Sequence, residues 1–299
     1  MRRTIAIAGM AFAAYCSMGA EAAFDTLIAH RGGSDAPENT LAAYKASVEA
    51  GFGFECDVYL SKDGRVFTIH DSDLKHSTGG THTNIVTQES WDFLSKVNVA
   101  SGKWKGTRFD PTAPALLEDV LKLARDGRWI YVEVKHKSGV KIVPYLKKVF
   151  AAQKKATPKN TLFISFDGKI CAELKRQMPE YKTFFIPRLY TKRGYERYRD
   201  PQNLVADLRA MGVDGVDAPF DKKKCIELQT AEYIKAVKDA GLEYNVWTCN
   251  RIDQVEAAFA RGVKTVTTDV PKKMLEGHKT KKAAKGEIGF EAPGCVNRQ

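Results

Sequence analysis

Four pairs of residues in the first half of the sequence have types and spacings suited to reactive chemistry. They are His30 with Arg31, Glu55 with Asp57, His70 with Asp71, and Glu133 with Lys135. Glu55 and Asp57 share one face of a strand because strand side chains alternate, and so do Glu133 and Lys135. The carboxylates of Glu55, Asp57 and Glu133 make a hard oxygen set suited to Ca2+ or Mg2+, and no His/Cys cage points to structural zinc. Arg31 and Lys135 add fixed positive charge for a phosphate. His30 and His70 can divide acid and base work near neutral pH. Taken singly, each pair has a plainer reading: a hydrogen-bonded structural histidine, a solvated strand face, a local ion pair. Together they resist it, because inward-facing charges repel and lose hydration unless they serve one purpose.

The elements that must position these residues alternate along the chain. Strands are expected at Leu27–His30, Phe54–Val58, Val66–His70, Trp129–Lys135, Leu162–Phe166, Thr183–Pro187, Gly215–Ala218, Tyr244–Thr248 and Thr265–Thr268, being short and rich in β-branched or aromatic residues. Helical segments lie at Thr40–Ala50, Ala115–Arg125, Val140–Lys154, Lys169–Met178, Gln202–Met211, Thr230–Ala240 and Gln254–Arg261. Asn39 can cap the first, and Gly51, Gly212, Gly241 and Gly262 stop four of them. This rhythm predicts an α/β fold, a (β/α)8 TIM-type barrel, with a doubly wound open sheet as the competing architecture. Nine strands for eight staves leave one outside the barrel or not a strand. The four reactive pairs fall at the C-terminal ends of successive strands, where barrels place their chemistry. Residues 72–112 form a long polar excursion after a strand end, where loops shape active sites.

The run His30-Arg31-Gly32, Pro37-Glu38-Asn39-Thr40, Glu55-Cys56-Asp57-Val58, Lys62-Asp63-Gly64 and His70-Asp71 resembles the N-terminal signature of glycerophosphodiester phosphodiesterases, in the PLC-like phosphodiesterase superfamily. The likeness continues through Pro114 to Glu118, Glu133 with Lys135, Ser165-Phe166-Asp167, Val246-Trp247-Thr248-Cys249-Asn250 and Thr268-Asp269-x-Pro271, covering roughly residues 26–271 in family order. By that resemblance the chain is a metal-dependent phosphodiesterase barrel that releases glycerol 3-phosphate and an alcohol such as choline or ethanolamine. Glu55, Asp57 and Glu133 then match metal ligands, and His30 and His70 the catalytic pair, His30 favoured as base and His70 as acid. Arg31 and Lys135 match phosphate-contacting positions and Trp247 an aromatic near the substrate, a core tryptophan being its plainer reading. Cys56 between the carboxylates and Ala115 in place of the usual threonine depart from the pattern without touching this chemistry. His76, His82, His136 and His278 match no catalytic position, and His136 is expected to face away from the side of Lys135.

The rival readings are a phospholipase-D-like enzyme of the same superfamily acting on lysophospholipids or sphingomyelin, and a non-catalytic exported phosphodiester-binding protein. The binding protein would be expected to lack a histidine or a metal carboxylate, and none is missing. Residues 1–22 read as a secretory signal peptide, with Arg2 and Arg3 before an apolar run, so the mature protein is expected to be periplasmic or secreted. Residues 23–271 would be the barrel and 272–299 a basic, loosely ordered extension. Of the formal charge of +11, the signal holds +1 and residues 271–299 hold +4, leaving +6 on the body. A mildly basic body suits an anionic small-molecule substrate or peripheral contact with an anionic membrane. No stripe of Lys/Arg with interleaved aromatics points to nucleic acid, and no obligate protein partner is evident. Five cysteines remain beyond the signal, allowing at most two disulfides, with Cys56 free because it must point away from its flanking carboxylates.

Overall fold

A computed structural model of the protein describes residues 26–284. The proposed signal peptide and Cys295 lie outside them. The strands are β1 (Leu27–Ala29), β2 (Gly53–Leu60), β3 (Val66–Thr68), β4 (Ile130–Val134), β5 (Thr161–Ser165), β6 (Lys182–Phe185), β7 (Gly215–Pro219), β8 (Glu243–Trp247) and β9 (Val266–Thr268). Their order is β1-β9-β8-β7-β6-β5-β4-β2-β3, and an additional β1–β2 pairing closes a parallel ring of eight. The fold is therefore the (β/α)8 barrel and not the open sheet. The ninth strand is β3, which joins the sheet through β2 and runs antiparallel to it.

Side-chain parity along the staves separates the cores. Phe54, Cys56 and Val58 of β2 and Ile130, Val132 and Val134 of β4 point outward into one apolar cluster beneath the surrounding helices. Residues at the alternate positions point inward, where Ile28, Tyr131, Leu162, Ile164, Phe184 and Ile186 pack the barrel's interior. Cys56 is buried in the outer cluster, as the alternation requires. Cys56, Cys171, Cys225 and Cys249 are all buried free thiols, so none of these four is bridged.

The seven expected helices are present, with ends shifted by a few residues, and three short ones at Trp91–Leu94, Lys192–Arg197 and Lys223–Leu228 are added. The four glycines expected to stop helices all have positive φ. Thr40, not Asn39, caps the first helix: its hydroxyl accepts from the Ala43 N–H at 3.3 Å. Asn39 is buried and bonds elsewhere, because its neighbour is already placed to accept the helix's free N–H groups. Residues Pro271–Ala284 form a helix, anchored by the buried Met274. The polar excursion carries a small core of its own, in which Leu74, Val86, Leu94 and Val97 pack on Tyr59, Phe67 and Ile69. Among the described residues no helix is long and apolar enough to cross a membrane.

Candidate active site

Glu55 and Asp57 leave β2 on its inner face, and the β2–β4 register sets Asp57 opposite Glu133. Oxygens of Glu55, Asp57 and Glu133 consequently lie within 4.8 Å of one another, all three side chains being buried. Lys135 reaches into the same cluster, its Nζ lying 2.7 Å from Asp57 Oδ1 and 2.7 Å from Glu133 Oε1. Arg31 Nη1 contacts both Glu38 oxygens at 3.1 Å, and its Nε lies 3.6 Å from Asp57 Oδ2.

Electrostatics divide the carboxylates. Burial would raise the Asp57 pKa, but Lys135, His70 and Arg31 outweigh it and hold the group well below the usual carboxylate range. Burial, with Asp57 and Glu133 as like charges, pushes Glu55 well up. Glu133 is also raised, burial exceeding the help from Lys135. Burial opposes charge on Lys135, yet Asp57 and Glu133 raise its pKa. The Glu55 Oε1 atom is buried in this cluster with no hydrogen-bond partner. An all-oxygen donor set with an orphaned carboxylate oxygen fits a hard divalent cation. Glu55, Asp57 and Glu133 are the residues able to hold one.

The two histidines are fixed alike. His30 follows β1, and its Nδ1 lies 2.7 Å from Asp269 Oδ1; Asp269 is itself bonded by Asn250 Nδ2 at 2.5 Å. His70 Nδ1 lies 2.7 Å from Asp71 Oδ1. Each carboxylate thus holds its imidazole by Nδ1 and leaves Nε2 for the cavity; His30 Nε2 stands 4.0 Å from Glu55 Oε2. Burial lowers the His70 pKa, an effect that Asp57 only partly offsets.

His70 does not sit at a barrel strand end. Strand β2 overshoots the rim, turns at Ser61–Arg65, and β3 runs back beside it. The Ile69 N–H bonds the Asp57 carbonyl at 3.1 Å, which brings His70 back to the level of the carboxylates. The reactive pairs therefore come from three staves and one returning strand. His136, expected to face away, lines the same cavity, because β4 ends at Val134 and the chain turns there. His82 and His278 do not line it.

The cavity of about 380 Å³ joins this charged wall to an apolar one formed by Ile164, Phe166, Ile186 and Trp247. Trp247 is half-buried, donates its indole N–H to the Asp217 carbonyl at 3.2 Å and meets Phe166 edge to face. Among the supporting residues, Asn39 was expected only as a helix cap, and Asp217 and Arg188 were not expected at the site. Asn39 donates to Asp57 Oδ2 at 2.7 Å and accepts from the Asp57 N–H at 3.0 Å, orienting that carboxylate. Asp217 is buried, its Oδ1 has no partner, and burial and then Glu133 push its pKa up to about 8. Its signal was faint: an acid inside an apolar strand.

Comparison with known proteins agrees with this geometry. A model described as the glycerophosphoryl diester phosphodiesterase family matches residues 30–273. A glycerophosphodiester phosphodiesterase of Caldanaerobacter subterraneus subsp. tengcongensis is 28% identical over 253 residues, 83% of this chain and 96% of its own. Glycerophosphodiester phosphodiesterase 1 of Bos taurus is 28% identical over 246 residues, covering 76% and 72%. Among solved structures, an Oleispira antarctica phosphodiesterase in complex with the product sn-glycerol-3-phosphate shares the fold, with a TM-score of 0.69 at 22% identity over 85% of this chain and 96% of that one.

Proposed function

The chain belongs to the glycerophosphoryl diester phosphodiesterase family, and from that premise we propose that it hydrolyses glycerophosphodiesters to glycerol 3-phosphate and an alcohol, using a divalent cation and two histidines. The observation that carries this reading is the placement of two carboxylate-backed imidazoles beside the buried trio of Glu55, Asp57 and Glu133. When bound there, Ca2+ or Mg2+ supplies positive charge for a nonbridging phosphoryl oxygen. Arg31 and Lys135 add to that field and keep the trio from repelling the substrate's anion. His30, as base, takes the proton from the attacking oxygen as the new P–O bond forms. His70, as acid, gives a proton to the alcohol oxygen as the old P–O bond breaks.

Purified protein should release glycerol 3-phosphate from glycerophosphocholine or glycerophosphoglycerol, lose that activity to a chelator and regain it with Ca2+ or Mg2+. His30→Ala and His70→Ala should each lower kcat by at least ~10²-fold. Near-normal turnover in both variants, or full activity after chelation, would sink the reading. Lysophosphatidylcholine belongs in the same assay; a preference for it would move the assignment to the lipid-cleaving members of the superfamily.

A further inference from the structure

We propose that Arg188 sets the charge of the alcohol released: the site takes a neutral polyol or an anionic headgroup and disfavours a quaternary ammonium. This rests on the hydrolytic reading above and deepens it.

An aromatic wall beside a phosphodiester site is the kind of surface that would gather a trimethylammonium group by cation–π attraction. Here that surface already has a cation. The Arg188 guanidinium carbon stands 4.7 Å from the centroid of Phe166, and both residues line the cavity. Arg188 Nη1 also donates to the Tyr190 hydroxyl at 3.3 Å, which keeps the group at the mouth. The neighbouring Trp247 meets Phe166 edge to face at 5.7 Å and 84°.

The charges around Arg188 favour an anion. No carboxylate among the described residues lies within ion-pair distance of it, although it is exposed. His136 shares the mouth, its pKa lowered by burial first and then by Lys137 and Arg188, with Asp167 acting in the opposite sense. Outside the proposed metal trio, two carboxyl groups line the cavity. Asp71 is held by His70 at 2.7 Å, and Asp217 is buried below. An arriving choline would meet Arg188 as a like charge on its preferred ring, whereas a phosphate or carboxylate on the alcohol would find a planar fork of N–H donors.

The test uses the full chain with Ca2+ or Mg2+ supplied, and compares kcat/KM for glycerophosphocholine, glycerophosphoglycerol and glycerophosphoinositol 4-phosphate. The wild-type protein should favour the neutral and anionic diesters over the choline diester by ~10-fold or more. Arg188→Gln should narrow that gap from both sides, raising the choline diester and lowering the anionic one. Arg188→Lys, which keeps the charge, should retain most of the wild-type order. A wild-type preference for choline, or a ratio unmoved in Arg188→Gln, overturns this proposal while leaving hydrolysis intact. Absence of turnover on all three diesters overturns the hydrolytic reading and this one with it.

Discussion

An imidazole tied by Nδ1 to a carboxylate keeps its tautomer and its aim, and the site has two such dyads, His30 with Asp269 and His70 with Asp71. If Asp71 positions His70 in this way, Asp71→Asn should lower kcat at least ~10-fold with little change in KM. It should also move the pH-profile limb belonging to His70 to lower pH, since the bond to Asp71 favours the imidazolium. A variant with reduced kcat and an unmoved profile would assign Asp71 to packing alone. The reactive side chains were legible in the sequence because Glu55 with Asp57, and Glu133 with Lys135, announce a shared strand face by spacing alone. Their supports were less legible. His30 and Asp269 are 239 residues apart and meet only because β9 closes the ring against β1. Asn39 was hidden differently: its type and place before a helix fit a cap, and Thr40 took that role. The departure freed Asn39 to orient Asp57.

At the scale of elements, the least expected feature is the strand that carries His70. Short apolar runs read alike whether a strand joins a parallel ring or folds back on its neighbour, so Val66–Thr68 passed for a stave. What marks it as a return is the tight turn before it. Ser61 Oγ accepts from the Arg65 N–H at 2.8 Å, and Gly64 adopts φ +84°. Alanine at Gly64 would take an unfavourable left-handed conformation and set its Cβ 2.7 Å from Tyr145 Cε1. Gly64→Ala should therefore destabilise the fold by ~1–2 kcal/mol, read as a lowered midpoint in equilibrium unfolding, and should reduce kcat because β3 sets the height of His70. Gly64→Asn, which tolerates positive φ better, should recover part of both. Wild-type stability and turnover in Gly64→Ala would show that the excursion's own core, and not this turn, fixes β3. That core was itself unexpected: its apolar residues are spread thinly through a polar stretch, and only the folded hairpin gathers Leu74, Val86 and Leu94 onto Phe67.

For the molecule as a whole, net charge said less than its distribution. The mildly basic body could be spread evenly, yet the excursion's lip concentrates Lys103, Lys105 and Arg108 as exposed cations around two half-buried rings, Trp104 and Phe109. Lys103 lies over Trp104 at 4.6 Å and Arg108 over Phe109 at 4.8 Å, with the two rings edge to face at 5.3 Å. Aromatic rings flanked by cations match the interface of an anionic bilayer, so if the barrel meets such a surface this lip is where contact is expected. Ile85, Val140 and Tyr145 are the large hydrophobic side chains exposed among the described residues, and none belongs to the lip, so attraction there must be mainly electrostatic. Binding to vesicles rich in phosphatidylserine should then appear at low salt, weaken sharply toward ~0.5 M as screening shortens, and be absent on neutral vesicles. Each juxtamembrane cation contributes ~1 kcal/mol, so Lys105→Gln with Arg108→Gln should weaken vesicle binding by ~30-fold. Salt-independent binding, or binding unchanged in that double variant, would place membrane contact elsewhere or remove it.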